Sequence, residues 1–393
     1  MSKKNKTPEM APPAEEAAAN VAVKQPKKKK KKGSGLLGRI IRRFFLLLFT
    51  VVILAVAALC LAMNLVFNGP SPAARDIQTM SLLEPSATKW MPALFMGEEM
   101  VEEIRAKDGQ ELSSEVSTGS SVIIKKDDAF SGESNEFANY PDGIYIERLS
   151  GKTYNAHIMI IQDPSRIYMA KSTERYSTSI PGTRINEQIE TEGAIAAINA
   201  GAFNDDGSTS SVVGSVPAGL VIVDGEVASN VYHDRVPEEG FAGFNSEGKL
   251  IVAKKMTPEQ AKELDIQYGC EFGPVLIMDG QINQEAYNTN SGWNPRTAIG
   301  QRADGTVIFL CIDGRQAGSV GGTYKDVIDI MIEYGAVNAC NMDGGSSSVM
   351  LYRDVDGRYG EPGTVQMINN YSLLQSQPRR MPNFWMVRPA SEE

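Results

Sequence analysis

Two Asp-Gly pairs follow runs of apolar residues, and each could place a carboxylate where a reaction occurs. Asp313 follows TVIFLCI, and Asp343 follows AVNACNM. Two carboxylates that act together can divide a reaction between them, one stabilising or attacking a centre of positive charge while the other handles a proton. We therefore predict Asp313 and Asp343 as a catalytic pair. Other Asp-Gly pairs of this chain, such as Asp304-Gly305, fit plain hairpin turns.

Arginines and small residues near these carboxylates are suited to binding an anion such as a phosphate. Arg296 and Arg315 can each present a planar fork to phosphate oxygens, which Lys cannot do. The alternative for each arginine is a salt bridge at a strand end. The backbone N–H groups of a loop of small residues can surround an anion. The loop that we predict to do so consists of Gly344, Gly345, Ser346, Ser347 and Ser348.

Four more positions complete the predicted binding site, namely Asn199, Gly201, Thr297 and Asn341. Asn199 is expected to hydrogen-bond a sugar hydroxyl or the phosphate, and the alternative is an Asx turn that ends a strand. Gly201 would let the chain approach closely. Of the two histidines, His157 fits a core or edge position of an alternating strand, whereas His233 lies in a polar loop that could reach the site rim.

A strand, a loop, a helix and a second strand connect the two predicted catalytic carboxylates. Thr323 as N-cap, Asp326 three residues later and Gly335 as a stop predict a helix from Tyr324 to Tyr334. Its predicted buried stripe consists of Val327, Ile328, Met331 and Ile332. This order of elements predicts that the two strands are parallel neighbours in one sheet. Ligand sites gather at the carboxyl ends of such strands, so Asp313 and Asp343 should emerge side by side.

Short β-like runs recur from Gly143 onward, and most of them end in Asp-Gly or a similar turn. Together with the predicted helix they indicate an α+β fold, with a mixed sheet and flanking helices. The preceding residues 68–139 are polar and mixed. We predict that they form a stalk or small membrane-proximal region, with one helix in EEMVEEIRAK and another around Ser81 to Phe95.

Four ordered motifs resemble the phosphodiester glycosidase family: NAGAF at 199–203, NPRTAIG at 294–300, DGR at 313–315 and NMDGGSSS at 341–348. The resemblance covers residues 140–387, and we take 140–390 as the domain. It implies cleavage of a sugar-1-phosphodiester such as one of N-acetylglucosamine, and the family includes bacterial envelope proteins linked to exopolysaccharide. This chain has Ala202 where the family commonly has an aromatic residue, and Ser346 where a third Gly often follows. Neither difference removes a charged group.

The first 70 residues predict a membrane anchor. Residues 44–67 form an uncharged apolar run, and crossing a hydrocarbon layer of ~30 Å takes roughly 20 helical residues. Arg39, Arg42 and Arg43 precede this run, so the positive-inside rule places the N-terminus in the cytoplasm and the later residues outside. A cleaved signal peptide, or a lipoprotein at Cys60, is the alternative. Residues 1–43 should form a disordered basic tail, whose block Lys27–Lys32 suits an anionic membrane face.

Charge and cysteine content narrow the partners and cofactors. The basic tail leaves the rest of the chain acidic, which argues against a nucleic-acid partner. Three cysteines follow the apolar run, namely Cys270, Cys311 and Cys340, and we expect small core residues, with a bridge between the last two left open. No Cys or His cluster has zinc spacing. We expect no cofactor, although a divalent cation such as Ca²⁺ could be held loosely near Asp205 or Asp343.

The predicted function is therefore that of a membrane-anchored extracytoplasmic hydrolase of sugar-1-phosphodiester linkages in an envelope polysaccharide or glycoconjugate. The predicted partners are the carbohydrate phosphodiester and the membrane. One alternative is a noncatalytic module that binds envelope polysaccharide, in which the arginines hold phosphate and the aspartates form turns. A second alternative is an anchored assembly protein in which the cytoplasmic Lys block is the functional element.

Overall fold

The computed structural model describes residues 36–69, 90–105, 112, 114–124, 136–203, 214–231, 240–371 and 377–390, with single positions at 75, 79, 82, 83 and 88. Residues 1–35 of the predicted disordered tail, His233 and the acidic loop around Asp205 lie outside the described residues. Residues 36–43, predicted to belong to the same disordered tail, are helical instead, because the apolar run that follows them continues the helix. The chain divides into two compact units, residues 1–60 and residues 61–393. The first unit is described by its helix alone.

The apolar run forms helix α1, Leu36–Asn68. Among the described residues, the segment Arg39–Asn68 is the one helical stretch long and apolar enough, by length and composition, to cross a membrane, with a mean hydropathy of 3.1. The predicted span at residues 44–67 lies inside this helix. Its side chains are exposed along most of its length, as lipid-facing side chains would be.

Two short helices follow in the membrane-proximal region. Helix α2, Met91–Met96, ends at Gly97, and helix α3 is Glu98–Arg105. Helix α3 confirms the helix predicted in EEMVEEIRAK. Gly97 has φ of +83°, a backbone conformation that favours glycine and lets the chain turn between the two helices. Helix α2 lies in the second segment predicted to be helical, around Ser81 to Phe95. Leu82 and Leu83 of that segment are also helical, and most positions between them and Met91 lie outside the described residues.

The described part of the domain contains nineteen strands. In chain order they are β1 (Ile144–Ser150), β2 (Asn155–Ile161), β3 (Ile167–Lys171), β4 (Thr183–Arg184), β5 (Ala196–Asn199), β6 (Gly219–Val223), β7 (Glu226–Val231), β8 (Phe241–Asn245), β9 (Leu250–Ala253), β10 (Ile266–Glu271), β11 (Val275–Met278), β12 (Gln281–Ile282), β13 (Arg296–Arg302), β14 (Val307–Ile312), β15 (Ala336–Met342), β16 (Met350–Arg353), β17 (Val365–Met367), β18 (Arg380–Met381) and β19 (Asn383–Val387). Four helices accompany them: α4 (Ile185–Glu192), α5 (Pro258–Glu263), α6 (Gln284–Asn288) and α7 (Tyr324–Glu333). The predicted α+β class is confirmed.

The strands make three large sheets and one strand pair. The seven-stranded sheet has the order β1-β2-β14-β13-β15-β11-β12. Two five-stranded sheets have the orders β7-β6-β10-β8-β9 and β17-β16-β5-β19-β3, and β18 pairs with β4. The described residues also contain two 3₁₀ helices, Pro164–Arg166 and Gly345–Ser347.

The predicted neighbourhood of β14 and β15 is wrong, because β13 lies between them. Strand β13 pairs antiparallel with β14 on one side and with β15 on the other. The two outer strands consequently run in the same direction without touching. Strand order is set by pairings between distant segments, and the helical crossover alone does not reveal a strand inserted from earlier in the chain.

Both faces of the seven-stranded sheet are covered, which explains why β14 is apolar at every position. Val307, Phe309 and Cys311 point into a core shared with the two five-stranded sheets. Ile308, Leu310 and Ile312 point into a second core beneath α6 and α7. Successive side chains of a strand alternate between faces, so a strand buried on both sides reads as a continuous apolar run.

Helix α7 confirms the predicted start signals and corrects the predicted buried face. Thr323 accepts a hydrogen bond from the backbone N–H of Asp326, and the two residues form a capping box. Ile330 is buried at 3% exposure, whereas Ile332, predicted to be buried, is 43% exposed. Residues of a helix are about 100° apart. The arc that faces the sheet is centred near Val327, so Ile330 lies inside the arc and Ile332 falls outside it.

Candidate active site

Three of the sequence motifs meet at one edge of the seven-stranded sheet. Strands β14 and β15 end at this edge, and β13 begins there, since Arg296 pairs with Ile312 and Thr297 with Met342. Asp313 and Asp343 therefore follow strands that flank the first residues of β13. The predicted convergence of the two carboxylates at one edge is found, although a strand separates them.

The Asp313 carboxylate is buried, with its side chain 0% exposed. Its Oδ1 accepts the backbone N–H of Asn370 at 2.9 Å, and its Oδ2 accepts the Asn370 Nδ2 at 2.7 Å. The Oδ2 also lies 3.4 Å from Nε2 of His157. The backbone is held as well, because Ser319 Oγ donates to the Asp313 carbonyl at 2.7 Å. This carboxylate is fixed in one orientation.

His157 fits its predicted core position and also contacts the site. It lies on β2 at 6% exposure, opposite Cys311 of β14, so its ring reaches the end of the next strand. Contact with Asp313 depends on the pairing of β2 with β14, which sequence alone does not give.

Asp343 is half-buried at the start of the small-residue loop. Its backbone N–H donates to the carbonyl of Ala200 at 3.1 Å, and its carbonyl accepts the Asn199 Nδ2 at 2.6 Å. These bonds join the end of β15 to the end of β5. The NAGAF motif therefore positions the NMDGG motif.

Asn199 and Thr297 have both been predicted to bind substrate, and the structure places both inside the protein at 0% exposure. Asn199 Oδ1 accepts the Thr297 Oγ1 at 2.8 Å and the backbone N–H of Val349 at 3.1 Å. The Asn199 amide thus links three segments of the site. Its bonds support a positioning role rather than contact with a sugar.

Gly201 and Asn341 also lie behind the site. A Cβ on Gly201 would stand 2.7 Å from the carbonyl oxygen of Glu271, so the close approach predicted for this glycine is to another strand and not to a ligand. Asn341 is 1% exposed, and its Nδ2 donates to the carbonyl of Gly273 at 2.8 Å. Both residues anchor the strands that carry the site.

The position of Arg296 differs most from the prediction, which was that its guanidinium binds phosphate. Its side chain is buried at 2% exposure. The Nε donates to the carbonyl of Gly322 at 3.1 Å, and Nη2 donates to the carbonyls of Ser291 and Gly292 at 2.8 and 3.2 Å. The guanidinium also stacks 4.3 Å from the ring centre of Tyr324. A guanidinium used in this way supports two loops beside the site.

Arg315 lies at the surface of the site. Its Nη2 donates to Asn294 Oδ1 at 3.1 Å, and its guanidinium lies over Gly345, where a Cβ would stand 3.2 Å from Nη2. Arg315 adopts φ of +56°, an uncommon conformation for a residue with a side chain. This strained turn directs the cation toward the small-residue loop, as an observed outlier at a functional site often does.

The loop from Gly344 to Ser348 depends on its glycines. A Cβ on Gly344 would lie 2.8 Å from the carbonyl oxygen of Pro295, and Gly345 has φ of +60°. The N–H of Gly345 donates to that same carbonyl at 2.9 Å. Among the described residues, the buried hydroxyls of Ser347 and Ser348 have no hydrogen-bond partner. Buried polar groups are normally paired, so these hydroxyls are available to a ligand or water.

These residues border a small cleft with a volume of about 40 Å³. Its lining comprises Pro295, Ile312, Asp313, Gly314, Arg315, Gly345, Ser346, Ser348, Asn369, Asn370 and Tyr371. Ser348 is part of this lining, although its hydroxyl is itself buried. The lining thus brings together Arg315 and the small-residue loop, both predicted to bind phosphate, and Asp313, one of the two predicted catalytic carboxylates.

Sequence reasoning missed one side of the cleft, formed by Asn369, Asn370 and Tyr371. Tyr371 OH donates to the carbonyl of Ser346 at 2.5 Å. Burial raises the pKa of the Tyr371 phenol above its ordinary value, the N–H and charge of Arg379 oppose this rise, and the charge of Asp343 adds to it. The phenol therefore remains a donor. The only signal in the sequence was a polar Asn-Asn-Tyr after a short strand, a pattern common in turns.

The described residues contain no group of three or more His, Cys, Asp or Glu side chains that could hold a metal ion. The acidic loop around Asp205, where a loosely held Ca²⁺ was considered, lies outside them. Within the described part of the chain, Cys270, Cys311 and Cys340 are buried free thiols. Burial raises the pKa of each of these thiols, so they remain neutral core groups.

Comparison with known proteins assigns the family. A model of the phosphodiester glycosidase family matches residues 192–388, half of the chain and the part that carries the cleft. The chain therefore belongs to the phosphodiester glycosidase family, a family of hydrolases. This confirms the resemblance of the four motifs.

Individual relatives are more distant. The chain is 27% identical over 287 residues to the SPbeta prophage-derived protein YomE of Bacillus subtilis (strain 168), a match covering 65% of this chain and 42% of that protein. The catalytic domain of zebrafish N-acetylglucosamine-1-phosphodiester alpha-N-acetylglucosaminidase, in a form auto-inhibited by its pro-peptide, is 18% identical, with a TM-score of 0.48 over 64% of this chain and 85% of that chain. A hypothetical protein from Synechocystis is 17% identical, with a TM-score of 0.42 over 64% of this chain and 63% of that chain.

Proposed function

We propose that this chain is a membrane-anchored hydrolase that cleaves sugar-1-phosphodiester linkages, with the cleft beside Asp313 as its active site. The observation that carries the proposal is the meeting of Asp313, Arg315 and the Gly344–Ser348 loop around one cleft, with Asp343 at the start of that loop. A carboxylate suits the positive sugar centre, and an arginine beside a loop of small residues suits the phosphate.

The proposed chemistry divides these groups by charge. Asp313 and Asp343 stabilise the positive charge that develops at the anomeric carbon and activate the water that replaces the phosphate. Arg315 and the small-residue loop hold the phosphate. The conjugate acid of the leaving phosphate has a low pKa, so the phosphate departs without help from a strong general acid. This explains how a site without an obvious proton donor beside the phosphate could still work.

The proposed setting is the outer face of a cell membrane. Helix α1 is long and apolar enough to span, and Arg39, Arg42 and Arg43 at its N-terminal end favour a cytoplasmic N-terminus. The substrate would then be an envelope polysaccharide or glycoconjugate. Membrane-impermeant protease added to intact cells should digest residues 70–393. Protection of this segment until the cells are opened would reverse the proposed orientation.

The deciding experiment measures release of N-acetylglucosamine from N-acetylglucosamine-1-phosphodiesters by the full chain in nanodiscs. Wild type is compared with Asp313→Asn and Asp343→Asn, and with Asp304→Asn as a matched control. Asp304 also precedes a glycine, but its carboxylate accepts the N–H of Thr306 in a hairpin away from the cleft. Turnover lost in the two site variants and kept in the control supports the proposal.

A binding module is the second candidate, and one observation favours it. Both oxygens of Asp313 already accept hydrogen bonds from within the protein, as those of a purely structural carboxylate would. A binding module would release no sugar. It would bind the phosphodiester in calorimetry, and Asp343→Asn would leave its affinity unchanged, whereas Arg315→Ala would weaken it.

A further inference from the structure

Two consecutive arginines lie at the start of β18, and their side chains reach different places. Arg380 Nη1 donates to the carbonyl of Gly182 at 2.8 Å and lies 3.7 Å from Glu187. Arg379 Nη1 instead donates to Ser346 Oγ at 3.2 Å, on the rim of the cleft. The charges are the same, but only Arg379 adds to the charge of the site.

The position of Arg379 is fixed by contacts from three segments. Its guanidinium lies 4.6 Å from the ring centre of Phe203, the last residue of the NAGAF motif. Its backbone N–H donates to the Tyr371 hydroxyl at 3.2 Å, and that hydroxyl donates to the carbonyl of Ser346. A half-buried guanidinium held over an aromatic face is well ordered. It is therefore a preorganised cation.

Arg379 and Arg315 approach neighbouring residues of the same loop. Arg315 lies over Gly345, and Arg379 contacts the side chain of the next residue, Ser346. Both loop residues line the cleft. A phosphate seated on this loop would thus meet two guanidinium groups that come from segments 64 residues apart.

We propose that Arg379 contacts the leaving phosphate and stabilises the charge that it gains as the sugar departs. This inference rests on the proposed function. The bond between the anomeric carbon and the phosphate oxygen breaks, and its electron pair goes to that oxygen. Water supplies the new hydroxyl on the sugar and releases one proton. The phosphate changes from a diester monoanion to a monoester that tends toward the dianion.

The negative charge that grows on the leaving phosphate determines which kinetic constant changes when Arg379 is replaced. A cation that meets more negative charge in the transition state than in the bound substrate lowers the barrier, so its loss reduces kcat more than it raises KM. The released phosphomonoester should also bind more tightly to Arg379 than the diester does. Free sugar carries no charge, so its affinity should not depend on this residue.

The test uses the full chain in nanodiscs with an N-acetylglucosamine-1-phosphodiester. Arg379→Ala should lower kcat about 100-fold and weaken inhibition by the released phosphomonoester at least about tenfold, while inhibition by free N-acetylglucosamine stays the same. Arg379→Lys should recover part of kcat, because it restores charge without the planar fork. Arg380→Ala is the matched control and should change kcat less than about threefold.

Three outcomes overturn the inference. Unchanged kcat in Arg379→Ala would show that the residue does not meet the phosphate. Equal weakening of inhibition by the phosphomonoester and by free sugar would show that Arg379 only maintains the shape of the cleft, as would a failure of Arg379→Lys to recover activity. Absence of turnover in the wild type would contradict the proposed function as well. This outcome is distinguishable from the other three, because they require an active wild type and concern only the Arg379 variants.

Discussion

The tripeptide Asp-Gly-Arg occurs twice in this chain, at residues 313–315 and 356–358, and the two copies lie in different environments. In the second copy the charges neutralise each other, because Arg358 Nε lies 2.6 Å from Asp356 Oδ2. In the first copy they are separated: Asp313 is held by Asn370, and Arg315 is directed to Asn294 and the small-residue loop. Only the first copy places its two charged residues at the cleft.

A nearby carboxylate, Asp354, shows the structural use of a buried Asp. It is 0% exposed, and its oxygens accept four backbone N–H groups of its own loop, those of Gly357, Arg358, Tyr359 and Gly360. Asp313 is equally buried, but its partners come from distant segments and it borders the cleft. Burial and hydrogen bonding are thus shared by both residues. The origin of the partners and the neighbouring space differ.

The largest expected effect distinguishes the two Asp-Gly-Arg copies. Asp313→Asn should reduce kcat/KM for the phosphodiester about 1,000-fold, because the transition state loses a fixed negative charge. Asp356→Asn should change it less than about twofold, since a half-exposed ion pair contributes little. Steady-state kinetics on variants with matched circular dichroism would measure this, and equal kinetics for the two variants would remove the distinction.

The second effect concerns stability and should fall on the structural carboxylate. Asp354→Asn places an amide donor against backbone N–H groups, so the free energy of unfolding should fall by about 3 kcal/mol. Urea unfolding followed by tryptophan fluorescence would show the loss. The folded fraction should keep its kcat, and a large loss of kcat at full folding would mean that the loop of Asp354 serves the site.

The third effect compares the two arginines. Arg315→Lys should lower kcat/KM about tenfold, because an ammonium cannot keep the bond to Asn294 while it also meets the phosphate. Arg358→Lys should leave kcat/KM unchanged within about twofold. The opposite ranking in the same assay would move the site toward the second Asp-Gly-Arg copy.

The smallest effect is a pH dependence of stability. Burial alone would raise the pKa of Asp354, but four backbone N–H groups bring it below its ordinary value. A lowered pKa contributes stability above the unfolded value of about 3.9, and this contribution is lost as the pH falls toward the folded value. Acid unfolding of Asp354→Asn should therefore show a weaker pH dependence below about pH 4. An unchanged dependence would assign acid sensitivity to other carboxylates.

Local patterns were sufficient to predict several parts of the molecule. Helix α7 follows from Thr323 and Asp326, which interact within one turn. The apolar helix α1 follows from composition alone. The β-rich nature of the domain follows from alternating runs and turns. Each of these features depends on residues close together in the chain, so a short segment of sequence is enough to predict it.

Long-range pairing was not predictable to the same degree. The insertion of β13 between β14 and β15 depends on register between distant segments, and it changed the predicted neighbours while leaving both carboxylates at the same edge. The buried role of Arg296 has the same origin. Its carbonyl partners at Ser291, Gly292 and Gly322 face it only after the loops have folded together.

The sequence by itself determined the family, the α+β class and the residue types that the site would use, because motifs and periodicity are local. Only the tertiary structure decided which of those residues border the cleft. It directed Arg296, Asn199 and Thr297 inward, and it brought Asn370, Tyr371 and Arg379 to the site from the end of the chain. The physical reason is that a polar side chain takes the partners that folding places within about 3 Å, and those partners come from the whole chain.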